Sequence, residues 1–383
     1  MFETLENIIS PLSIADFCEN YLSRQAVHIR KSPDKFSDLF TWETLNRIIS
    51  GSVLSLNNLS LYRSGIEDKM QTSDFTVSKI LNACSTGSTL HIRSIDEFDE
   101  DMHNYFVKMA LELKALIKVN MYASPPENQA LNLHFDDHEI FVLQVEGKKR
   151  WQVYQPITWK NDRPLLPETP YIDVCLEPGD VLYLPIGHWH KALAETPSIH
   201  LAVATYWTRG INFSAWLLEK LRPDLTDLFP LLAADNQEKR LSDWQPNIDQ
   251  INRLISEKLN DQSLNDEFYR EAKVKIHDST NFNFPYHFIE QPFNDFRNLN
   301  FYRTEANEAV ITDDGAIFLL NYQFNFEQAL VPLLKFIFKN NFFNGNDLLK
   351  LDPVITDEQI TKTLTLFLKE GIITFDDNEK YKR

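Results

Sequence analysis

Between Leu116 and Trp207 the chain breaks into short β-rich runs, "LIKVNMYA", "EIFVLQVEG", "RWQVYQP", "YIDVCLEPGD", "VLYLPIG" and "IHLAVATYW", separated by turn residues. Branched and aromatic residues dominate them, as suits a half-buried pleated surface. Glu146-Gly147-Lys148 and Pro178-Gly179-Asp180 are expected as hairpin-like breaks. Strands this short and this closely spaced predict a sandwich or barrel of the jelly-roll kind.

The flanks have a different texture, which makes the class α+β. Residues 1 to about 118 mix helical patterns with short extended pieces. In "SIADFCENYLSR" a Ser cap precedes Ile14, Phe17, Cys18 and Leu22, expected on one helical face. Beyond Asn212, "NIDQINRLISEKL" aligns Ile248, Ile251, Leu254, Ile255 and Leu259 in a stripe, the shape of a bundle or dimerisation helix. Polar, Asn- and Phe-rich sequence from about 275 to 305 reads as a linker. The last stretch holds a hairpin signal, "AVITDDGAIFLL", an apolar helix, "FEQALVPLLKFIFK", and "TDEQITKTLTLFLKEGIITF". In that segment Thr356 and Gln359 form a capping box, Ile360, Leu364, Phe367 and Leu368 a buried face, and Gly371 the stop. Helices followed by a short strand predict a small winged-helix-like domain. The expected units are 1–211, 212–300 and 301–383.

Charge narrows the function. A net charge of −17 argues against a general nucleic-acid binder, which needs basic surface to neutralise phosphates. The last helix repeats the point, setting Asp357, Glu358 and Glu370 against Lys362 and Lys369. Such a chain suits a basic protein or peptide partner. Cys18, Cys84 and Cys175 are far apart and form no CxxC, so neither a disulfide framework nor a zinc knuckle is expected. A reducing cytoplasm fits. No positively charged leader and no run of eighteen apolar residues occur, so a soluble, unprocessed chain away from membranes is expected.

The chemistry concentrates in "LHFDDHEIFVLQVEGKKRW", Leu133 to Trp151, where two histidines and three carboxylates fall within six positions. If the segment is extended, His134, Asp136 and His138 share one face, opposite Phe135, Asp137 and Glu139. A His and a carboxylate two apart can then reach one ion. A third ligand must come from elsewhere, and "PGDVLYLPIGHWHKAL" offers His188 and His190. Two histidines and one carboxylate on a triangular face leave positions open for a bidentate oxo acid and O2, as in non-heme Fe(II) oxygenases. The same ligands also suit a zinc hydrolase, so spacing alone leaves the metal open.

Together, "HFDDHEIFVLQVEGKKRWQVYQP", the upstream "VNMYASPPENQALNLHFD" and the downstream "EPGDVLYLPIGHWHKA" resemble the JmjC (cupin-4) 2-oxoglutarate oxygenases, most closely their ribosomal-oxygenase branch. The resemblance covers roughly residues 5 to 210 by motif and the whole chain by order of parts. It implies a double-stranded β-helix (jelly-roll, cupin) core with a helical lead-in, then a helical dimerisation region and a winged-helix domain, in a homodimer. It makes His134, Asp136 and His190 the Fe(II) ligands, with 2-oxoglutarate and O2 as co-substrates. Lys149 falls where the family's basic residue pairs with the distal carboxylate of 2-oxoglutarate, and Asn120 where an asparagine supports it. An ammonium there offsets the desolvation of a buried carboxylate. Where relatives often carry a hydroxyl near the end of the last barrel strand, this chain has Ala204, then Thr205, which is left to supply that hydrogen bond.

The implied activity is hydroxylation of a protein or peptide side chain, with Arg or His of a ribosomal protein as the branch's substrates. A peptide natural product or small molecule is the alternative substrate, and a non-catalytic metal-binding cupin module the alternative kind of protein. Tyr122, His138 and Trp189 are candidates for a substrate pocket. Asp137 and Glu139 read as supporting or solvent-facing carboxylates, and His200 as a core histidine.

Overall fold

The computed structural model describes residues 3–51, 58–68, 76–160, 163–225, 237–261, 264, 267–268, 286–303, 309–318 and 323–375. Its contacts divide the chain into Met1–Trp207 and Thr208–Arg383.

In the first unit the strands are β1 (Val27–Ile29), β2 (Leu59–Arg63), β3 (Ile66–Asp68), β4 (Thr89–Ile92), β5 (Leu116–Ser124), β6 (Glu139–Glu146), β7 (Lys149–Pro156), β8 (Trp159–Lys160), β9 (Arg163–Pro164), β10 (Ile172–Leu176), β11 (Val181–Leu184), β12 (His188–Ala194) and β13 (Ser198–Tyr206). Eight form one sheet in the order β1-β11-β6-β13-β5-β4-β2-β3, and β10-β7-β12 form a second. Six of these match the β-rich runs read from the sequence. The seventh in the same region, β12, hides among the histidines of "GHWHKALA".

The two turns expected as hairpins are corners. β6 is already paired with β11 on one side and β13 on the other, so β7 crosses to the second sheet. The turn at Gly179 likewise carries the chain from β10 back to β11 in the large sheet. Each corner needs glycine. Gly147 has φ +64°, and a Cβ there would lie 1.9 Å from Pro197 O; at Gly179, with φ +89°, a Cβ would lie 2.0 Å from Ser32 O. Both obstacles are backbone, which cannot swing aside. Gly147→Ala is therefore expected to cost more than about 2 kcal/mol, read as a lowered melting temperature or loss of soluble protein.

Alternation along β6 shows how the sheets share their cores. Phe141 and Leu143 enter a cluster with Leu5, Phe17, Ile48 and Phe106 from the N-terminal helices, while Ile140 and Val142 join Trp151, Val153 and Leu176 of the second sheet. Because both faces of β6 are buried, its sequence is a nearly continuous apolar run. The helix at Ile14–Asn20 has the expected cap, with the Ser13 side chain accepting from the Asp16 N–H. It buries Phe17 but leaves Cys18 exposed and ends before Leu22, so its inward face is narrower than expected.

The second unit begins with helices Gly210–Leu225 and Gln237–Leu259. Leu254 and Ile255, from the apolar stripe, pack with Leu217, Leu221 and Leu264, while Leu259 is exposed. Part of the expected linker, residues 275–285 and 304–305, lies outside the described residues. The described part is not a linker, because Phe293, Phe296 and Phe301 are buried against Leu334, Ile337 and Phe367. Phe-rich sequence here is core, not connection. The hairpin at Val310–Ile311 and Ala316–Phe318 pairs as expected. The helix Asp357–Lys369 carries the capping box of Thr356 and Gln359, buries Ile360, Leu364, Phe367 and Leu368, and is followed by Gly371 at φ +67°. Among the described residues no helix is long and apolar enough to cross a membrane.

Candidate metal centre

The segment carrying His134 and Asp136 is an irregular lead-in to β6, so strand alternation does not position its side chains. Two backbone bonds do. The His134 N–H donates to His190 O at 3.1 Å, and the His190 N–H donates to His134 O at 2.7 Å. This isolated bridge sets the imidazole centroids 4.3 Å apart. Asp136 is held from the other side, where its carbonyl accepts the Gly187 N–H at 2.9 Å.

Asp136 Oδ2 lies 3.8 Å from His134 Nε2 and 3.4 Å from His190 Nε2. The three donor atoms all fall within 4.8 Å of one another, and no other group of three or more His, Cys, Asp or Glu with that spacing occurs among the described residues. The far nitrogen of each ring is committed: His134 Nδ1 lies 2.7 Å from Asn132 O and His190 Nδ1 lies 3.0 Å from His188 O. A carbonyl only accepts, so each Nδ1 carries a proton and Nε2 is the nitrogen left to ligate, on the side of the carboxylate. Burial, reinforced by neighbouring His134 and opposed by Asp136, pushes His190 down to about 4 and keeps it neutral near pH 7. Two imidazole nitrogens and one carboxylate oxygen fit a divalent first-row metal, the donor set of the non-heme Fe(II)/2-oxoglutarate oxygenases. His188 is buried elsewhere, 6.1 Å from the Tyr171 ring, and does not line the cavity.

The triad opens into a cavity of about 160 Å³ between the two sheets. A single water needs roughly a tenth of that, so the hollow suits something larger. Asn120 and Tyr122 of β5, Ile140 and Val142 of β6, and His200, Ala202 and Ala204 of β13 line it from the large sheet. Lys149 and Trp151 of β7 and His190 and Ala192 of β12 line it from the small one.

Lys149 is 1% exposed and donates from Nζ to Ser124 Oγ at 2.9 Å. Ser124 is in turn bonded by Thr89 Oγ1 at 3.0 Å. No carboxylate neutralises the ammonium among the described residues, and burial pulls Lys149 down to about 7. Such a group suits an anion delivered into the cavity. By contrast Lys148 pairs with Glu177, and Arg150 with Asp173 and Glu195, on the outer surface.

The remaining candidates separate by strand face. Asn120 and Tyr122 lie on the cavity side; Asn120 Oδ1 accepts the Ser94 N–H at 3.4 Å. Tyr122 is sandwiched between His91 at 4.3 Å and His200 at 4.9 Å, and burial raises its hydroxyl above the usual range. Ser124, missed in the sequence, follows from the same two-residue period as Asn120 and Tyr122. His200 is more than a core histidine, because it also lines the cavity. Thr205 is a correction: β13 turns His200, Ala202 and Ala204 inward and Thr205 to the other face, where its hydroxyl is buried and forms no hydrogen bond. Trp189 lies outside the lining, against Phe135 at 4.8 Å. Asp137 is exposed, but Glu139 is not solvent-facing: it is fully buried and accepts from Ser23 Oγ and the Tyr183 hydroxyl. His138 is on the wall.

Residues 92–212 match the family model for the JmjC domain. A Drosophila persimilis protein named bifunctional lysine-specific demethylase and histidyl-hydroxylase NO66 is 29% identical over 233 residues, covering 57% of this chain and 34% of that protein. Ribosomal oxygenase 2 of Rattus norvegicus is 28% identical over 234 residues, covering 56% of this chain and 50% of the relative. This chain thus matches about a third to a half of those relatives' length. The crystal structure of Escherichia coli ribosomal oxygenase YcfD has the same fold at a TM-score of 0.58 and 15% identity, covering 95% of this chain and 98% of that one. A structure of the same protein with cobalt and 2-oxoglutarate gives a TM-score of 0.57 at 15% identity, with 95% and 98% covered. The chain therefore carries a JmjC domain and is related to the ribosomal-oxygenase branch of the Fe(II)/2-oxoglutarate oxygenases.

Proposed function

We propose that the chain is an Fe(II)- and 2-oxoglutarate-dependent oxygenase that hydroxylates a side chain of a protein or peptide, with Arg or His of a ribosomal protein as the first substrates to test. One observation carries this reading. A His–Asp–His donor set and a buried, uncompensated lysine line a single cavity. Those are the two anchors a 2-oxo dicarboxylate needs, one for each end.

When bound, iron, 2-oxoglutarate and O2 supply the oxidising chemistry for a C–H bond, with succinate and CO2 as co-products. The chain's own residues do the positioning. His134, Asp136 and His190 hold the metal through Nε2, Oδ2 and Nε2, and the Asn132 and His188 carbonyls keep both rings in the ligating tautomer. Lys149, steadied by Ser124, takes the distal carboxylate, and Asn120 and Tyr122 form the adjoining wall. Ile140, Val142, Ala202 and Ala204 keep that wall dry, which strengthens the ammonium–carboxylate attraction.

In the same reading the two sheets form a double-stranded β-helix. Residues 1–211 are the catalytic domain, 212–300 a helical dimerisation region and 301–383 a winged-helix-like domain of a cytoplasmic homodimer with a basic protein substrate. The helices Gly210–Leu225 and Gln237–Leu259, followed by mixed helices and short strands, support a helical region before a mixed domain, but Phe293 and Phe296 pack into the core of the last part, which therefore begins before residue 301.

Anaerobic addition of Fe(II) and 2-oxoglutarate tests the site. A weak visible charge-transfer band is expected, and His134→Ala should abolish it. No band, with no succinate formed in the presence of basic peptides or cell extract, would exclude an oxygenase.

A further inference from the structure

His134 and His190 are held differently, although both belong to the proposed triad. His190 lies on β12, its side chain is 5% exposed, and its ring contact, His188 O, belongs to the same strand. The His134 side chain is 32% exposed, so packing does little to fix its ring. The backbone bridge to His190 places the main chain of His134 but not its side-chain torsions. Among the described residues the ring's polar contacts are Asp136, at 3.8 Å, and Asn132 O, 2.7 Å from Nδ1. The ring therefore points where Asn132 lets it.

Asn132 belongs to residues 125–133, a strap without helix or strand that leads from β5 to His134. No strand ladder fixes it. What grips it is the two-residue turn between β2 and β3, at the edge of the large sheet. The Ser64 N–H donates to Asn128 Oδ1 at 3.4 Å, the Gly65 N–H to Gln129 O at 2.9 Å, and Asn132 Nδ2 to Gly65 O at 3.3 Å. Ala130 and Leu131, between the gripped positions, line the cavity. Ser64 and Gly65 have φ of +50° and +81°, as a tight hairpin turn with two left-handed residues requires. Gly65 lies so close to the strap that a Cβ there would be 2.1 Å from Asn132 Oδ1 and 2.4 Å from its Cγ.

We infer that Asn132 is a positioning residue for the metal centre, and that the Ser64–Gly65 turn, by holding the Asn132 side chain, sets the direction in which His134 presents Nε2. The inference rests on the metal centre proposed above and extends it to a hairpin at the sheet edge that supplies no ligand. The strand that carries His190 needs no such grip; the strap that carries His134 has nothing else.

The test titrates Co(II), whose visible ligand-field bands report donor geometry, into the full chain. Asn132→Ala keeps the carbonyl but cuts the tie to Gly65, and Co(II) affinity is expected to fall about tenfold, the low end for losing a partner outside the coordination sphere, with altered bands. Gly65→Ala drives the Asn132 side chain off its seat and should cost about tenfold as well. The double variant should bind within about threefold of Asn132→Ala, because the new Cβ then has no amide to displace, whereas independent effects would multiply. Ser13→Ala removes a helix cap in the same unit and measures lost stability alone: it should lower the melting temperature and leave Co(II) affinity and bands unchanged. Unchanged affinity and bands in Asn132→Ala, a multiplied loss in the double variant, or an equal loss in Ser13→Ala would overturn the inference while the metal centre stands. If Gly65→Ala fails to fold, Asn132→Ala and Ser13→Ala decide. An unaltered chain that binds no Co(II) overturns the metal centre, and the inference with it.

Discussion

Replacing Lys149 with Met is expected to abolish 2-oxoglutarate binding and, at the same time, to raise the melting temperature. The two effects share one cause. Burial lowers the lysine from 10.5 to about 7, so keeping it charged in the folded chain costs about 4 kcal/mol at pH 7. Met fills similar volume without charge. It forfeits one hydrogen bond to Ser124, worth about 1 kcal/mol, and some packing. A net gain of about 2 kcal/mol remains, or about 4–8 °C for a unit of this size. The pH dependence gives the sign. Between pH 7 and 10.5 the unfolded chain binds more protons at this lysine than the folded one, so wild-type stability rises with pH across that window. The advantage of the Met variant should therefore be full below pH 7 and fade towards pH 10, in melts recorded across the range. For 2-oxoglutarate the change works in reverse: the distal carboxylate loses its counter-charge in a buried site, and affinity should fall at least about 100-fold by calorimetry. A variant that binds 2-oxoglutarate normally would remove Lys149 from the site.

What could be read from the sequence, and what could not, divides along one physical line. Residue type and spacing point to His134, Asp136 and a third ligand from His188 or His190, whereas the choice of His190 and the role of Lys149 come from the family resemblance alone. The capping box at Thr356 was legible because it is made within a single turn. Long-range partners were not legible. Nothing local in "VEGKK" reveals that β6 is already paired on both edges, so a corner between sheets reads as a hairpin. Sequence leaves Glu139 open between a supporting and a solvent-facing carboxylate because its partners, Ser23 and Tyr183, are distant in sequence. The inward face of β13 is a middle case. Thr205 is the hydroxyl left beside Ala204, where relatives carry one, yet the two-residue period from His200 places it outward. That period only helps once one residue on the strand has been assigned to the cavity, and the pairing of His200 with Tyr122 supplies that assignment.

His190→Ala and His188→Ala should part completely, although the two histidines are two residues apart and both buried. Only His190 brings Nε2 to Asp136, at 3.4 Å, with its Nδ1 3.0 Å from His188 O. Removing it leaves two donors on a divalent ion. Metal affinity is expected to fall at least 1000-fold, and turnover of 2-oxoglutarate to vanish with it, because one imidazole contributes far more than its second-sphere partners, whose loss typically costs 10–100-fold. His188 makes a long contact to Ile186 O at 3.4 Å and packs near Tyr171, away from the cavity. Its replacement by Ala should cost about 1–3 kcal/mol of stability through lost packing, with metal affinity changed less than about tenfold. Metal titration separates the two, and a metal-dependent rise in melting temperature gives an independent reading, since an ion that binds only the folded chain stabilises it in proportion to the logarithm of its concentration over Kd. That rise should survive in His188→Ala and disappear in His190→Ala. The opposite pattern would move the third ligand to His188 and require β12 to shift against β7 at the irregular step between the two histidines.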